Sequence, residues 1–259
     1  MLDIAEPSHD YSLAEYVRDA DAAIAAIIAH GGVPIVVGGS GMYLRGLLKG
    51  IVAAPPRDEA LRERLRAQID RFGPRRVHRL LATLDPATAK RVRPEDAQRI
   101  VRALELALRS GQTWSATLAR SGTWAGNEER YRALKFGLDL ERSALAEKLA
   151  TRVDAFFDAD LVGEVDRLLA GGVPESANAF KGIGYREILL ARRQQCDPAE
   201  MREPIVVATR QYAKRQRTWF RKEPGLVWLD AAQGVDALAA TVAEAWNAAR
   251  TKERSGSMC

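Results

Sequence analysis

Cysteine is nearly absent: the 259 residues hold two, Cys196 and Cys259. A disulfide-stapled scaffold is thereby excluded, and no Cys/His cluster has metal-ligand spacing. Histidine is as scarce, with His9, His30 and His78 scattered along the chain and each read as an ordinary surface or loop residue. No apolar run approaches the length that crosses a bilayer, and the opening MLDIAEPSHDYS has no basic region followed by an apolar one. Neither a membrane span nor a signal peptide is expected, which places the chain in the cytoplasm. A G-x-x-x-x-G-K-[ST] phosphate loop is also missing. What is present is apolar material for a core, 47% of residues, and a net charge of +5. The charge is uneven: Lys181 to Lys222 holds eleven Lys/Arg against four Asp/Glu, a surplus of +7 that leaves −2 for the rest. A basic surplus gathered in one segment points to a polyanion, although a solvated basic helix has the same composition.

The apolar pattern starts as α/β. Tyr16 to His30 carries Val17, Ala20, Ile24, Ile27 and Ile28 at helical spacing and stops at Gly31-Gly32. Pro34 to Val37 is a short, wholly apolar run of the kind that forms a strand buried on both faces. Gly38-Gly39-Ser40-Gly41 follows, then a helix over Met42 to Lys49. Helix, strand, glycine turn and helix are the elements of a parallel sheet. From Ala53 to Gly122 strand signals vanish, and helices are expected over Asp58 to Arg71, Arg76 to Leu84 and Pro94 to Ser110, as a helical insertion. Strand spacing returns over Ala133 to Leu140. One long helix is expected over Ser143 to Ala170, a basic helix over Glu203 to Lys222 and a last strand over Leu226 to Leu229. The plan is therefore an α/β core in two parts, 1–52 and 127–250, around a helical insertion at 53–126, with a frayed tail at 251–259.

Three constellations can carry chemistry. Gly38, Gly39 and Ser40 lie between a strand and a helix, where glycines let backbone approach an oxyanion and the helix N-terminus offers unpaired N–H groups. An ordinary strand-to-helix turn uses the same residues. Gln98, Arg99, Ile100, Val101 and Arg102 form a second group: Gln98 and Arg102 share one helix face, while Ile100, Val101 and Leu104 can face inward. Such a patch suits phosphate or base edges, or else a surface helix paired to Glu105. In the third, Arg210, Lys214, Arg217 and Arg221 recur at i, i+4, i+7 and i+11 and set four cations in one stripe, with Tyr212, Trp219 and Phe220 largely off it. Their mutual repulsion is relieved by an anionic partner such as RNA.

VGGSGMYLRGLLKG, DAQRIVRALE, KGIGYRE and ATRQYAKRQRTWFR stand in the order and spacing of the tRNA dimethylallyltransferases, and the chain resembles that family over nearly all of residues 1–230. The resemblance implies a P-loop NTPase-like α/β core with a helical insertion. It implies transfer of a dimethylallyl group from dimethylallyl diphosphate to N6 of the adenosine beside the tRNA anticodon, in a monomer assisted by Mg2+. The extruded base would enter a channel through the protein. By motif match, Arg152 would hold the leaving diphosphate, and Gly38, Gly39 and Ser40 would line the diphosphate end of the channel. The tRNA-contacting segments would be Gln98 to Arg102; Lys181, Gly182, Ile183, Gly184, Tyr185 and Arg186; and Lys214, Arg215, Gln216, Arg217, Thr218, Trp219, Phe220 and Arg221. Ser40 stands where threonine is commoner, and Asp158 to Asp160 where glycine is usual. Met1 to Ile4 aligns inside the family's sequences, after the first strand, the phosphate loop and the aspartate general base. The resemblance thus implies a chain lacking these elements, poorly soluble or inactive alone, and a non-catalytic tRNA-binding fragment is the alternative reading. A prenyltransferase of free adenylates is disfavoured, since a small nucleotide needs no helix-long cationic face.

Overall fold

A computed structural model describes residues 1–51, 55, 57–121 and 129–256. The boundaries expected at 52/53 and 126/127 fall on residues outside this set, as do 257–259. The chain divides into two compact units, Arg45–Tyr131 and the remainder, Met1–Leu44 with Arg132–Cys259.

The Arg45–Tyr131 unit is helical. Helix α1 (Leu13–Ala29) belongs to the other unit, and α2 (Gly41–Lys49) leads from one to the other; α3 (Glu59–Phe72), α4 (Pro74–Leu84), α5 (Pro86–Ala89), α6 (Ala97–Ser110) and α7 (Trp114–Ser121) then follow. Asp58 caps α3 by accepting from the Leu61 amide at 3.0 Å. Gly73, at φ 79°, ends α3 and starts α4, a left-handed corner that suits glycine, and Pro74 occupies the first position of α4, where no amide donor is needed. Leu65, Val77, Leu81, Ile100, Val101 and Leu104 close the core between these helices. Helix α6 begins at Ala97 rather than at the expected Pro94, because the Asp96 carboxylate accepts from the Arg99 amide and fixes the start there. The short α5 and α7 have too few turns to show a period. Buried Asp85 joins them, accepting from the Thr88 amide at 3.0 Å and the Ser115 amide at 2.9 Å.

The other unit carries the sheet. Strand β1 (Lys135–Asp139) runs parallel to β2 (Leu226–Asp230), with Lys135 opposite Leu226 and Asp139 opposite Asp230. Between them lie α8 (Arg142–Asp158), α9 (Leu161–Ala170), α10 (Tyr185–Gln194) and α11 (Arg202–Phe220), and α12 (Val235–Gly256) follows β2. Val153, Val165, Phe180, Ile188, Ile205 and Val206 form the core under these helices. Two expectations are corrected. The single helix over Ser143 to Ala170 is broken, because Asp160 adopts φ 62° and its carboxylate caps α9 at the Gly163 amide. The segment expected to fray from Thr251 continues α12 through Gly256.

A third correction concerns Pro34 to Val37, expected as a buried strand. This run forms no strand, and Ile35 and Val37 are 81% and 90% exposed. An apolar run becomes a strand only when neighbouring backbone takes up its N–H and C=O groups; β1 and β2 pair with each other, and 34–37 pairs with neither. The fold is a helix-rich α/β arrangement whose sheet, among the described residues, has two parallel strands.

Candidate active site and nucleic-acid interface

The glycine turn sits where the sequence puts it, directly before α2. The Ser40 carbonyl accepts from the Leu44 amide at 3.1 Å, so Ser40 stands at the helix entrance. Its three glycines are not equivalent. A Cβ on Gly38 would meet nothing within 4 Å, so that backbone is open to a ligand. On Gly39 it would lie 2.0 Å from Nε2 of Gln216, and on Gly41 2.2 Å from the Trp219 ring. Gln216 Nε2 donates to the Gly39 carbonyl at 2.9 Å. Two of the glycines therefore make room for α11.

Arg152 projects from the exposed side of α8. Its guanidinium lies 5.5 Å from the centre of the Phe156 ring and has no carboxylate partner among the described residues. A cation resting on an aromatic face and facing solvent remains available to an external anion.

On α11 the cations separate into two kinds. Arg217 donates to Asp139 Oδ2 at 2.7 Å, which ties the helix to the end of β1. Arg210, Lys214 and Arg221 are exposed and, among the described residues, have no acidic partner. Arg215 is exposed and lies 5.6 Å from the Tyr212 ring centre. Thr218 is used within its own helix, donating to the Lys214 carbonyl at 2.8 Å, and Trp219 meets Phe220 edge to face at 4.9 Å. An open cavity of about 220 Å³ lies beside this helix at the C-terminal ends of β1 and β2, lined by Asp139, Glu141, Arg217, Trp228 and Asp230 among others. Of the residues singled out from sequence, only Arg217 reaches it.

The Lys181–Arg186 loop is held from inside. Gly184, at φ 98°, donates its amide to Glu187 at 2.8 Å, and a Cβ there would press on Leu161 at 3.3 Å. Arg186 also bonds Glu187, and Lys181 bonds Asn178. Ile183 packs against the core, while Gly182 is exposed. Burial, with donation to Glu164 at 2.7 Å, pushes the Tyr185 hydroxyl up to about 12. The loop thus presents Lys181 and Arg186 from a fixed frame.

In the helical unit, Ile100 and Val101 are core residues, which removes their side chains from any surface contact. Gln98 and Arg99 are exposed, the latter 3.2 Å from Asp96. Arg102 donates to Glu105 at 2.6 Å, the pairing that the sequence offered as the alternative. Glu105 is fully buried and also accepts from Arg62, at 2.8 and 3.0 Å, and from the Asp58 amide at 2.7 Å. Burial alone would raise its pKa, but these donors outweigh it and hold the carboxyl at about 2. Arg62 and the extent of this node escaped the sequence reading, because the partners stand 43 positions apart. Among the described residues no group of three His, Cys, Asp or Glu side chains is placed to hold a metal ion, and no helix is long and apolar enough to cross a membrane.

With this geometry in hand, the chain can be set beside known proteins. The model of a family described as IPP transferase matches residues 1–223. A tRNA dimethylallyltransferase 1 of Trichlorobacter lovleyi is 42% identical over 229 residues, 88% of this chain and 74% of that protein. A tRNA dimethylallyltransferase of Anaeromyxobacter dehalogenans is 42% identical over 247 residues, 94% of this chain and 78% of its own length. The crystal structure of a tRNA isopentenylpyrophosphate transferase from Bacillus halodurans superposes with a TM-score of 0.63 at 27% identity, over 98% of this chain and 78% of that one.

Proposed function

The chain belongs to the IPP transferase family, and from that premise we propose that it transfers a dimethylallyl group from dimethylallyl diphosphate to N6 of the adenosine at position 37 of tRNA. The observation that carries this reading is a set of cations facing solvent without an acidic partner among the described residues: Arg152 on α8, Arg210 and Lys214 on α11, and Arg221 at the C-terminal cap of α11. Unpaired cations on one helix repel one another, and an RNA backbone relieves that repulsion.

The division of labour follows from chemistry. As the allylic C–O bond breaks, negative charge builds on the departing diphosphate. Arg152, the open backbone at Gly38 and the Ser40 hydroxyl meet that charge with a cation and donors already in place. Arg210, Lys214, Arg215 and Arg221 hold phosphates of the anticodon stem-loop, with Lys181, Arg186, Gln98 and Arg99 as further contacts. Holding the base fixes N6 in line with the reacting carbon, which supplies much of the remaining acceleration. The chain offers no dedicated protein cage for Mg2+ among its described residues. The core that bears these groups is read as P-loop NTPase-like, supported by the parallel β1–β2 pair and the long helical crossover between them. We place the protein in the cytoplasm as a monomer.

The test is direct. The protein is incubated with tRNA, dimethylallyl diphosphate and Mg2+, the tRNA is digested, and nucleosides are separated by mass. A dimethylallyl adenosine from the anticodon loop is expected. Salt-sensitive tRNA binding with no such product would instead make the chain a binding module.

A further inference from the structure

Gln216 and Trp219 lie in the segment whose family resemblance suggests tRNA contact, yet both point at the glycine turn. Gln216 Nε2 donates to the Gly39 carbonyl at 2.9 Å, across 177 positions of sequence. Space for a side chain at Gly39 is taken by that same amide, at 2.0 Å. At Gly41 the occupant is the Trp219 ring, with Cδ2, Cε3 and Cε2 at 2.2 to 2.4 Å from the position of a Cβ. An amide at the end of a flexible side chain can step aside; an indole braced edge to face on Phe220 cannot do so cheaply. Thus α11 meets the turn at two successive contacts, one a hydrogen bond to backbone and one a close ring-to-backbone fit. Between these contacts stands Ser40, with its carbonyl committed to α2 and its hydroxyl without a partner among the described residues.

We propose that Gln216 and Trp219 are positioning residues for the prenyl-diphosphate end of the site: they clamp Gly39 and Gly41 so that the Gly38 backbone and the Ser40 hydroxyl are held ready for the anion. This rests on the reading of Gly38 to Ser40 as diphosphate-binding. It divides α11 by function. The exposed Arg210, Lys214 and Arg221 serve RNA, whereas Gln216 and Trp219 serve the small substrate. A helix shared in this way links the two substrates physically, because RNA bound to its cations would press on the element that shapes the turn.

The experiment measures steady-state KM for dimethylallyl diphosphate and Kd for tRNA in the full chain carrying Gln216→Ala, Gln216→Glu, Ser40→Ala, Arg210→Ala and the double variants. Losing one neutral hydrogen bond corresponds to roughly a three- to tenfold change. Gln216→Ala is expected to raise KM for dimethylallyl diphosphate by about that factor and to leave tRNA Kd within about twofold. Gln216→Glu keeps the size but replaces the donor with a carboxylate that repels both the Gly39 carbonyl and the diphosphate, so it should raise that KM at least as much as Gln216→Ala. Paired with Ser40→Ala, the Gln216→Ala effect should be less than additive, since both act through one turn; paired with Arg210→Ala it should be additive. Gln216→Ala spares the core, so a folding failure does not confuse the outcome; Gly41→Ala, read by thermal melting, separately tests the ring contact and should lower Tm. If Gln216→Ala weakens tRNA binding and leaves the diphosphate KM unchanged while Ser40→Ala raises it, the positioning role is wrong and the turn assignment stands. If Ser40→Ala leaves the diphosphate KM unchanged as well, the turn assignment itself is wrong.

Discussion

Helices α6 and α11 both carry arginines three or four positions apart, and they put them to opposite uses. On α6, Arg102 is closed onto buried Glu105 together with Arg62, and Arg99 sits beside Asp96. On α11, Arg202 is closed onto Asp154 and Arg217 onto Asp139, while Arg210 and Lys214, with Arg221 at the C-terminal cap, are open. A row of cations on a helix therefore says little until the carboxylates around it are known. Where a buried acid answers them, the row is part of the core's wiring. Where none does, the row is a demand for an external anion.

The largest effect expected from this contrast lies on α6. Glu105→Ala leaves Arg62 and Arg102 facing a hole without their acid, and breaking a buried pair in this way costs about 3–5 kcal/mol. Chemical denaturation should show the loss. The same node predicts acid lability with a definite sign. The folded pKa of Glu105 is held down at about 2 from an ordinary 4.5. Its contribution is complete above 4.5 and is lost as pH falls from there toward 2, so helicity followed by circular dichroism should decay across that window more steeply in the parent than in Glu105→Gln.

Next in size is Arg152→Ala. An exposed side chain is removed, so the fold should hold within about 0.5 kcal/mol. The rate of prenyl transfer should nevertheless fall about 10²- to 10³-fold, the loss that follows deletion of one group poised at a developing anion. Single-turnover assays at saturating tRNA would read it; an unchanged rate would remove Arg152 from the chemistry. The smallest effect is that of Asp139→Asn. Its pair with Arg217 is more than one-third exposed on both sides, so melting should register about 0–1 kcal/mol.

Local rules carried much of the architecture. Asp58, Gly73-Pro74 and Gly111 mark helix ends by their own chemistry; β1 lies inside its expected strand, and β2 covers its own and runs one residue further, to Asp230. The failures have two causes: partners far away in sequence, and a local backbone choice that leaves no periodic trace. Pro34 to Val37 looks like a buried strand because its residues are apolar, but burial is supplied by neighbours, and these residues are exposed. The break at Asp160 needs a left-handed residue whose carboxylate caps the next helix, a choice periodicity does not register. The candidate site shows the same division. The positions of Ser40, Arg152 and the α11 ridge were legible from motifs. The burial of Glu105 against Arg62, the pairing of Arg217 with Asp139 and the turn of Gln216 toward Gly39 were not, since each joins residues 43 to 177 positions apart.

The contrast between the two helices is tested most directly by the salt dependence of tRNA binding. Each phosphate contact to single-stranded RNA contributes a slope of about 0.7 log units of affinity per log unit of salt. Replacing Arg210, Lys214 and Arg221 together with glutamine should flatten the slope by about 2. Replacing Arg102 alone should leave it unchanged. Equal slopes for the parent and the triple α11 variant would contradict the assignment of that ridge to RNA.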